Sequence, residues 1–171
     1  IKHLVRRFMP ELFDSEFDQM KRIAGELASN LVERLARDCQ TTSDTETLTA
    51  QLQQFVHDYS FIQYVYVTDV KGHSTAIAIS DPGDQKGYKA FPIGFDYSNR
   101  EWFQQPMRTG KLHIMNVHQS QVTGQLIITV STVITDANDE IIGVLGADIQ
   151  LEEIIRRAEA LEAEEHIGEE E

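Results

Sequence analysis

Phe95-Asp96-Tyr97-Ser98-Asn99-Arg100-Glu101-Trp102-Phe103 opens a helix and Gly143-Val144-Leu145-Gly146-Ala147-Asp148-Ile149-Gln150-Leu151 closes a strand. The first stretch sets an arginine among aromatic residues at a helix start. Ser98 and Glu101 there have the spacing of a capping box. The second ends a strongly apolar strand with an aspartate, a residue that a buried strand carries only with a reason. A guanidinium grips a carboxylate with a two-pronged fork, and an aspartate accepts from an ammonium. Together they would read both ends of an amino acid.

Outward from these stretches the pattern is helices first, then strands. Phe17, Met20, Ala24, Leu27 and Leu31 recur at helical spacing and predict one long helix over residues 15–38, with Ser15 and Asp18 as its cap. That spacing is also an a/d seam of two heptads. Ile23, Val32 and Leu35 widen the stripe, so packing on the same domain and pairing with a second chain both fit. Leu48, Leu52, Phe55 and Val56 mark a second helix. Strands follow at residues 61–69 and 73–79, joined by Asp69-Val70-Lys71-Gly72. Residues 80–95 carry two prolines and three glycines, enough to break any regular element, and a loop of that length is expected to cover a site. Residues 111–118, 125–134 and 140–149 complete five strands, and a closing helix runs from 151 to about 165. Helices flanking an antiparallel sheet with a helical insert define an α+β fold.

The order Asp-x-Ser-x-Arg-x-Trp-Phe, then Thr123-Gly124, the β-rich run from Ile127 to Thr132, Asp136 to Asp139, and finally Gly-Val-Leu-Gly-Ala-Asp-Ile resembles the Cache domains of bacterial signal-transduction proteins, extended PAS-like sensors of the PDC type. The match covers roughly residues 15–157. It implies a PAS-like antiparallel sheet between a long N-terminal helix and a C-terminal helix. On that plan, residues 1–44 form a dimerisation and signalling helix, 45–150 the sensor core, and 151–171 the closing helix and acidic tail. The resemblance assigns Arg100 to a ligand carboxylate, Trp102 to a neighbouring contact, Phe103 to packing and Asp148 to a ligand ammonium. It also implies a covalently linked output domain, a homodimer and an extracytoplasmic position, although polar flanks equally fit a cytoplasmic relative. This chain departs from the amino-acid-binding pattern in three places. Phe95 and His118 stand where aromatic hydroxyls are expected, and Gln105 where an acidic residue is expected. Those departures leave an organic acid open beside an amino acid.

The residues themselves keep other readings open. Asp148 could cap the closing helix, and Arg100 could pair with Asp96 or Glu101 on the surface. Trp102 could be core. Alternation puts Asp148 with Ile142, Val144 and Gly146 on one strand face, where Gly146 leaves an empty volume beside the carboxylate. Tyr64 and Tyr66 share a face and could supply a wall, Tyr97 could reach in from the loop, and Thr129 with Ser131 form a polar pair that is either solvated or lining the pocket. A lone His near a strand end is more often structural, and His118 otherwise suits a neutral donor or a pH-sensitive contact.

Composition narrows the classes further. Apolar residues make up 41% and charged residues 25% of the 171, as in an ordinary folded domain. The net charge of −13 disfavours nucleic acid, whose phosphates call for surplus lysine and arginine. Most of it sits at the end: residues 152–171 hold nine Glu against two Arg, or −7. The single cysteine, Cys39, excludes an intrachain disulfide and, with no clustered cations nearby, reads as passive. No apolar run reaches the roughly 18 residues of a membrane span. The sequence reads as a fragment excised from a larger sensor. His113 and His118 lack a Cys or carboxylate partner at metal-ligand spacing, and no nucleophile stands beside a base, so neither metal, cofactor nor catalysis is expected. Two alternatives to a ligand sensor remain: a ligand-free PAS-like module that only aligns two output domains, and a cofactor-bearing domain or small enzyme with His118 as axial ligand.

Overall fold

The computed structural model describes residues 10–40, 44–81, 89–119 and 124–168. Its elements in chain order are α1 (Pro10–Cys39), α2 (Thr45–Asp58), β1 (Ile62–Thr68), β2 (Ser74–Ile79), α3 (Glu101–Thr109), β3 (His113–Ile114), β4 (His118–Gln119), β5 (Leu126–Thr135), β6 (Ile141–Gln150) and α4 (Leu151–Gly168). The sheet is antiparallel with strand order β2-β1-β6-β5, and both β3 and β4 pair with the outer edge of β5. It therefore has six strands where five were expected.

Two apolar faces explain the layering. Val65, Val67, Ile128, Val130, Leu145, Ala147 and Ile149 point to one side of the sheet and meet Ala24, Ala28, Leu31, Val32, Leu35 and Ala36 of α1, Leu52, Phe55 and Val56 of α2, and Ile154 of α4. The small residues Ala24, Ala28 and Ala36 let α1 lie close along the strands. On the other side Tyr64, Tyr66, Ile77, Ile79 and Val144 meet Tyr97, Trp102 and Phe103. One face builds the helical core and the other an aromatic site.

The described part of the α1 stripe, including Ala24, Leu31, Val32 and Leu35, is thus spent on its own sheet. The side chains of Phe17 and Met20 lie outside the described residues. The helix already includes Pro10, the first described residue, and so reaches further back than expected. Ser15 falls inside the helix, so the expected cap at Ser15 and Asp18 is not a helix start.

Cys39 ends α1 in the core, 2% exposed. Burial, with a smaller contribution from Asp38, pushes its thiol up to about 12. Iodoacetamide at mildly alkaline pH should therefore leave the folded protein unlabelled and modify it only in denaturant, since the thiolate is the nucleophile. Rapid stoichiometric labelling of the native protein would contradict this placement.

The edge strand departs from the sequence reading in an instructive way. Instead of one strand over residues 111–118, there are two short ones. Ile114 pairs with Val130 and His118 with Ile127, so four steps on one side oppose three on the other. The extra residue is a β-bulge, which unpairs the intervening stretch and flips the alternation. Met115 still donates its N–H to the Thr129 carbonyl at 2.9 Å. In unbroken register His118 would face the helices. The bulge sets it opposite Ile127, on the aromatic side.

Candidate ligand-binding site

The loop before α3 is tied to the β1–β2 turn by backbone bonds. Tyr97 N–H donates to the Gly72 carbonyl at 2.8 Å, Ser74 N–H to the Phe95 carbonyl at 2.9 Å, and His73 bridges Asp96. Gly72 is required here. Its φ is +90°, and a Cβ would lie 2.9 Å from the Ser98 backbone. Asp69 Oδ1 closes the turn by accepting from the N–H groups of Lys71 and His73, both at 2.9 Å.

This anchoring delivers Arg100 to the N-cap of α3 with extended backbone, without a side-chain capping bond. The expected capping box does not form. Arg100 N–H donates to the Tyr97 carbonyl, and the turn ends one residue after Asn99, so the helix starts at Glu101 itself. Ser98 is instead held by Asp96, whose Oδ1 accepts from its N–H at 2.8 Å. Glu101 turns to His113, with 2.9 Å between Oε1 and Nε2. Both carboxylates proposed as surface partners for Arg100 thus have other contacts, and the guanidinium stands exposed.

Gly146 does not leave an empty volume. A Cβ there would lie 2.9 Å from Trp102 Cε3, so the indole lies flat on the glycine. Tyr66 stacks on the same indole at 5.7 Å between ring centroids, and Tyr97 leans against it at 5.0 Å. Phe91 closes the cluster from the loop, 5.9 Å from Tyr66 and 6.2 Å from Tyr97.

Beside this cluster lies a cavity of about 250 Å³, lined by Tyr66, Phe91, Tyr97, Arg100, Glu101, Trp102, Met115, His118, Gln119, Ile127, Thr129 and Asp148. Of the residues singled out in the sequence, Arg100, Trp102, Asp148, His118, Tyr97 and Tyr66 meet on it. Phe95 does not; it packs behind Tyr97 at 4.8 Å and against Phe91 at 5.9 Å. Gln105 is also absent from the lining, with its Oε1 taken by Arg108 at 2.6 Å. Phe91 sits in an irregular segment, where no periodicity could have singled it out. Residues 82–88 of the expected cover lie outside the described residues, whereas Phe91 belongs to its second part.

Asp148 is central to the site. Its Oδ2 accepts from the Tyr66 hydroxyl at 2.9 Å and its Oδ1 from the Thr129 hydroxyl at 2.7 Å. Both oxygens face the cavity side of the sheet, so the carboxylate does not cap α4. Burial raises its pKa above the ordinary carboxylate value, and the two hydroxyls and nearby His118 only partly offset that rise. Burial and the Asp148 charge in turn push the Tyr66 hydroxyl up, which keeps it a donor. The Tyr97 hydroxyl is also pushed up by burial and then by Asp148, with Arg100 opposing. It is buried and has no hydrogen-bond partner among the described residues.

His118 Nδ1 lies 2.9 Å from the Asn116 carbonyl. A carbonyl only accepts, so Nδ1 carries the proton. In a neutral ring Nε2 would then be the acceptor. Among the described residues no group of three His, Cys, Asp or Glu side chains could hold a metal ion.

An antiparallel sheet with a helical core on one face and a polar, aromatic-lined cavity under a loop and short helix on the other is the architecture of PAS-like small-molecule sensors. Residues 45–156 match the first PDC sensor domain of methyl-accepting chemotaxis protein-like receptors, and the chain belongs to that family. A protein of Syntrophus aciditrophicus named Citrate (Re)-synthase is 38% identical over 156 residues, which cover 91% of this chain and 25% of that protein. Among solved structures, the ligand-binding domain of the Pseudomonas aeruginosa amino acid chemoreceptor PctC in complex with GABA superposes with a TM-score of 0.64 at 24% identity, over 84% of this chain and 61% of that one. The ligand-binding domain of the Campylobacter jejuni chemoreceptor Tlp3 in complex with L-valine gives 0.62 at 18% identity, over 80% and 58%. The chain thus spans a quarter of that curated relative and about three fifths of each sensor structure. Among the described residues no helix is long and apolar enough to cross a membrane.

Proposed function

We propose that this domain binds a small carboxylate-bearing metabolite, an amino acid foremost, in the cavity between the sheet and α3. Arg100 would hold the carboxylate and Asp148 the ammonium. The observation that carries this reading is the placement of an exposed arginine and a half-buried carboxylate on one cavity of about 250 Å³. A half-buried carboxylate whose hydrogen-bond donors are two neutral hydroxyls gains from an incoming cation. GABA and L-valine, the compounds named with the two superposed receptors, both carry an amine and a carboxylate. The Citrate (Re)-synthase match spans a quarter of that protein, and its named activity is not carried over. In the parent protein, the domain would sit outside the cytoplasmic membrane, linked to an output domain and paired with a second copy through α1. The terminal helices would carry the signal.

A melting-temperature screen of amino acids and organic acids tests the ligand. At about 100 times its dissociation constant, a ligand adds roughly 2.7 kcal/mol. For a domain of this size, that is a rise of roughly 5 to 10 °C. Arg100→Ala should abolish the rise while leaving the unliganded melting temperature nearly unchanged, because the side chain is exposed. A ligand-induced rise that survives in Arg100→Ala would overturn its role. A full screen without any shift would favour the ligand-free alignment module.

A further inference from the structure

Arg100 is followed directly by Glu101, and both side chains border the same cavity. A carboxylate in that position is the natural competitor of any carboxylate arriving from solution. Neighbouring residues inside a helix point apart, but Arg100 is the N-cap with extended backbone, so helix geometry does not separate the two. The separation comes from the sheet edge. His113 opens β3 opposite Ser131, which itself pairs with Gly146 under the Trp102 indole, so the imidazole lies on the aromatic side. There its Nε2 lies 2.9 Å from Glu101 Oε1. A carboxylate only accepts, so Nε2 carries the proton and a neutral ring suffices for the bond.

Resting on the reading above, we infer that His113 is a positioning residue that keeps Arg100 open to a ligand carboxylate by holding Glu101 away from the guanidinium. The other carboxylates around Arg100 are tied into the fold: Asp96 Oδ1 accepts from the Ser98 N–H, and Asp148 accepts from Tyr66 and Thr129. Glu101 is free to swing. Its side chain is 55% exposed, and His113 is its hydrogen-bond partner among the described residues. Released from His113, it would either pair with Arg100 or stand charged at the cavity wall, and both weaken a bound carboxylate. The worth of an exposed ion pair bounds the effect at about fivefold in an equilibrium. His113 thus matters to Arg100 only while residue 101 is an acid. A ring that merely packed against α3 would show no such dependence.

Phenylglyoxal labelling of the whole domain, followed by peptide mapping at Arg100, reads the guanidinium without any ligand. His113→Ala should slow labelling of Arg100 by up to about fivefold as Glu101 pairs with it. Glu101→Gln combined with His113→Ala should recover most of that loss, because the competing charge is gone. His113→Gln, which keeps an N–H donor for Glu101, should label like wild type. Titration calorimetry with L-valine should place the affinities of these variants in the same order. Unchanged labelling in His113→Ala, or a double variant as slow as His113→Ala, would overturn the inference; the second result would show that the ring acts by packing alone. If labelling follows the expected order and L-valine gives no heat with wild type, the ligand reading fails while the hold of His113 on Glu101 stands.

Discussion

Asp148→Asn is expected to raise the melting temperature of the unliganded protein while removing its response to amino acids. The stability half follows from linkage. The folded-state pKa of Asp148 lies above its ordinary value of 3.8 because of burial. Between 3.8 and the raised value, the folded state therefore binds more protons than the unfolded state. Stability from this group is lost as pH rises through that window, and at neutral pH the charged carboxylate opposes folding. Asparagine removes the charge and can still accept from Tyr66 or Thr129. A gain of roughly 1 kcal/mol, or about 2 to 4 °C, is reasonable for relieving one such group. The binding half has the opposite sign. Losing one partner of a buried charged contact costs about 2 to 5 kcal/mol, or roughly 30-fold to several-thousand-fold in affinity. Thermal melts with and without L-valine read both halves at once. A mutant less stable than wild type without ligand, or one that still binds an amino acid tightly, would refute the account of Asp148 as a site held ready for a cation.

Gly143→Ala should be the most destabilising methyl addition in β6. A Cβ at Gly143 would lie 2.0 Å from the Thr68 carbonyl oxygen, and that oxygen belongs to backbone in β1 that cannot swing aside. At Gly146 the obstacle is the Trp102 ring, 2.9 Å away, which can tilt. Overpacking typically costs about 1 to 3 kcal/mol, and a backbone clash lies at or beyond the top of that range. Roughly 3 kcal/mol would lower the melting temperature by about 6 to 12 °C. Gly146→Ala should cost less in stability but quench or shift Trp102 fluorescence as the indole leaves its seat. Equal stability losses in the two variants, or a Gly143→Ala protein as stable as wild type, would show that β1 and β6 are less tightly seated than the structure shows.

The central architecture was legible because its signals are local. The apolar and β-branched runs in residues 62–68 and 141–150 read as strands, and the Asp69-to-Gly72 turn specifies the hairpin of β1 and β2 through turn chemistry. Arg100, Trp102 and Asp148 were found because their residue types in that order carried a resemblance. What escaped notice depends on contacts between segments distant in sequence. The fit of Trp102 onto Gly146 is a tertiary contact that an isolated Gly-x-x-Gly cannot announce. Ser98 and Glu101 have the spacing of a capping box, yet Asp96 and His113 bind them first. Phe95 was singled out from its place before the arginine, but the loop's bonds to Gly72 and Ser74 turn Tyr97 toward the cavity and leave Phe95 behind it. The bulge was invisible because residues 113–119 show no glycine or charge pattern to mark it.

That bulge makes strand register, as well as side-chain identity, part of what the site recognises. Unbroken pairing of the same residues along β5 would set His118 opposite Leu126 and carry the imidazole to the helical face, without changing a single residue of the sequence. Relatives with the same arginine, tryptophan and aspartate can therefore differ in chemical preference through a one-residue shift of pairing at the sheet edge. Alignments that score only matched positions would place such a protein beside this one and misjudge what it detects.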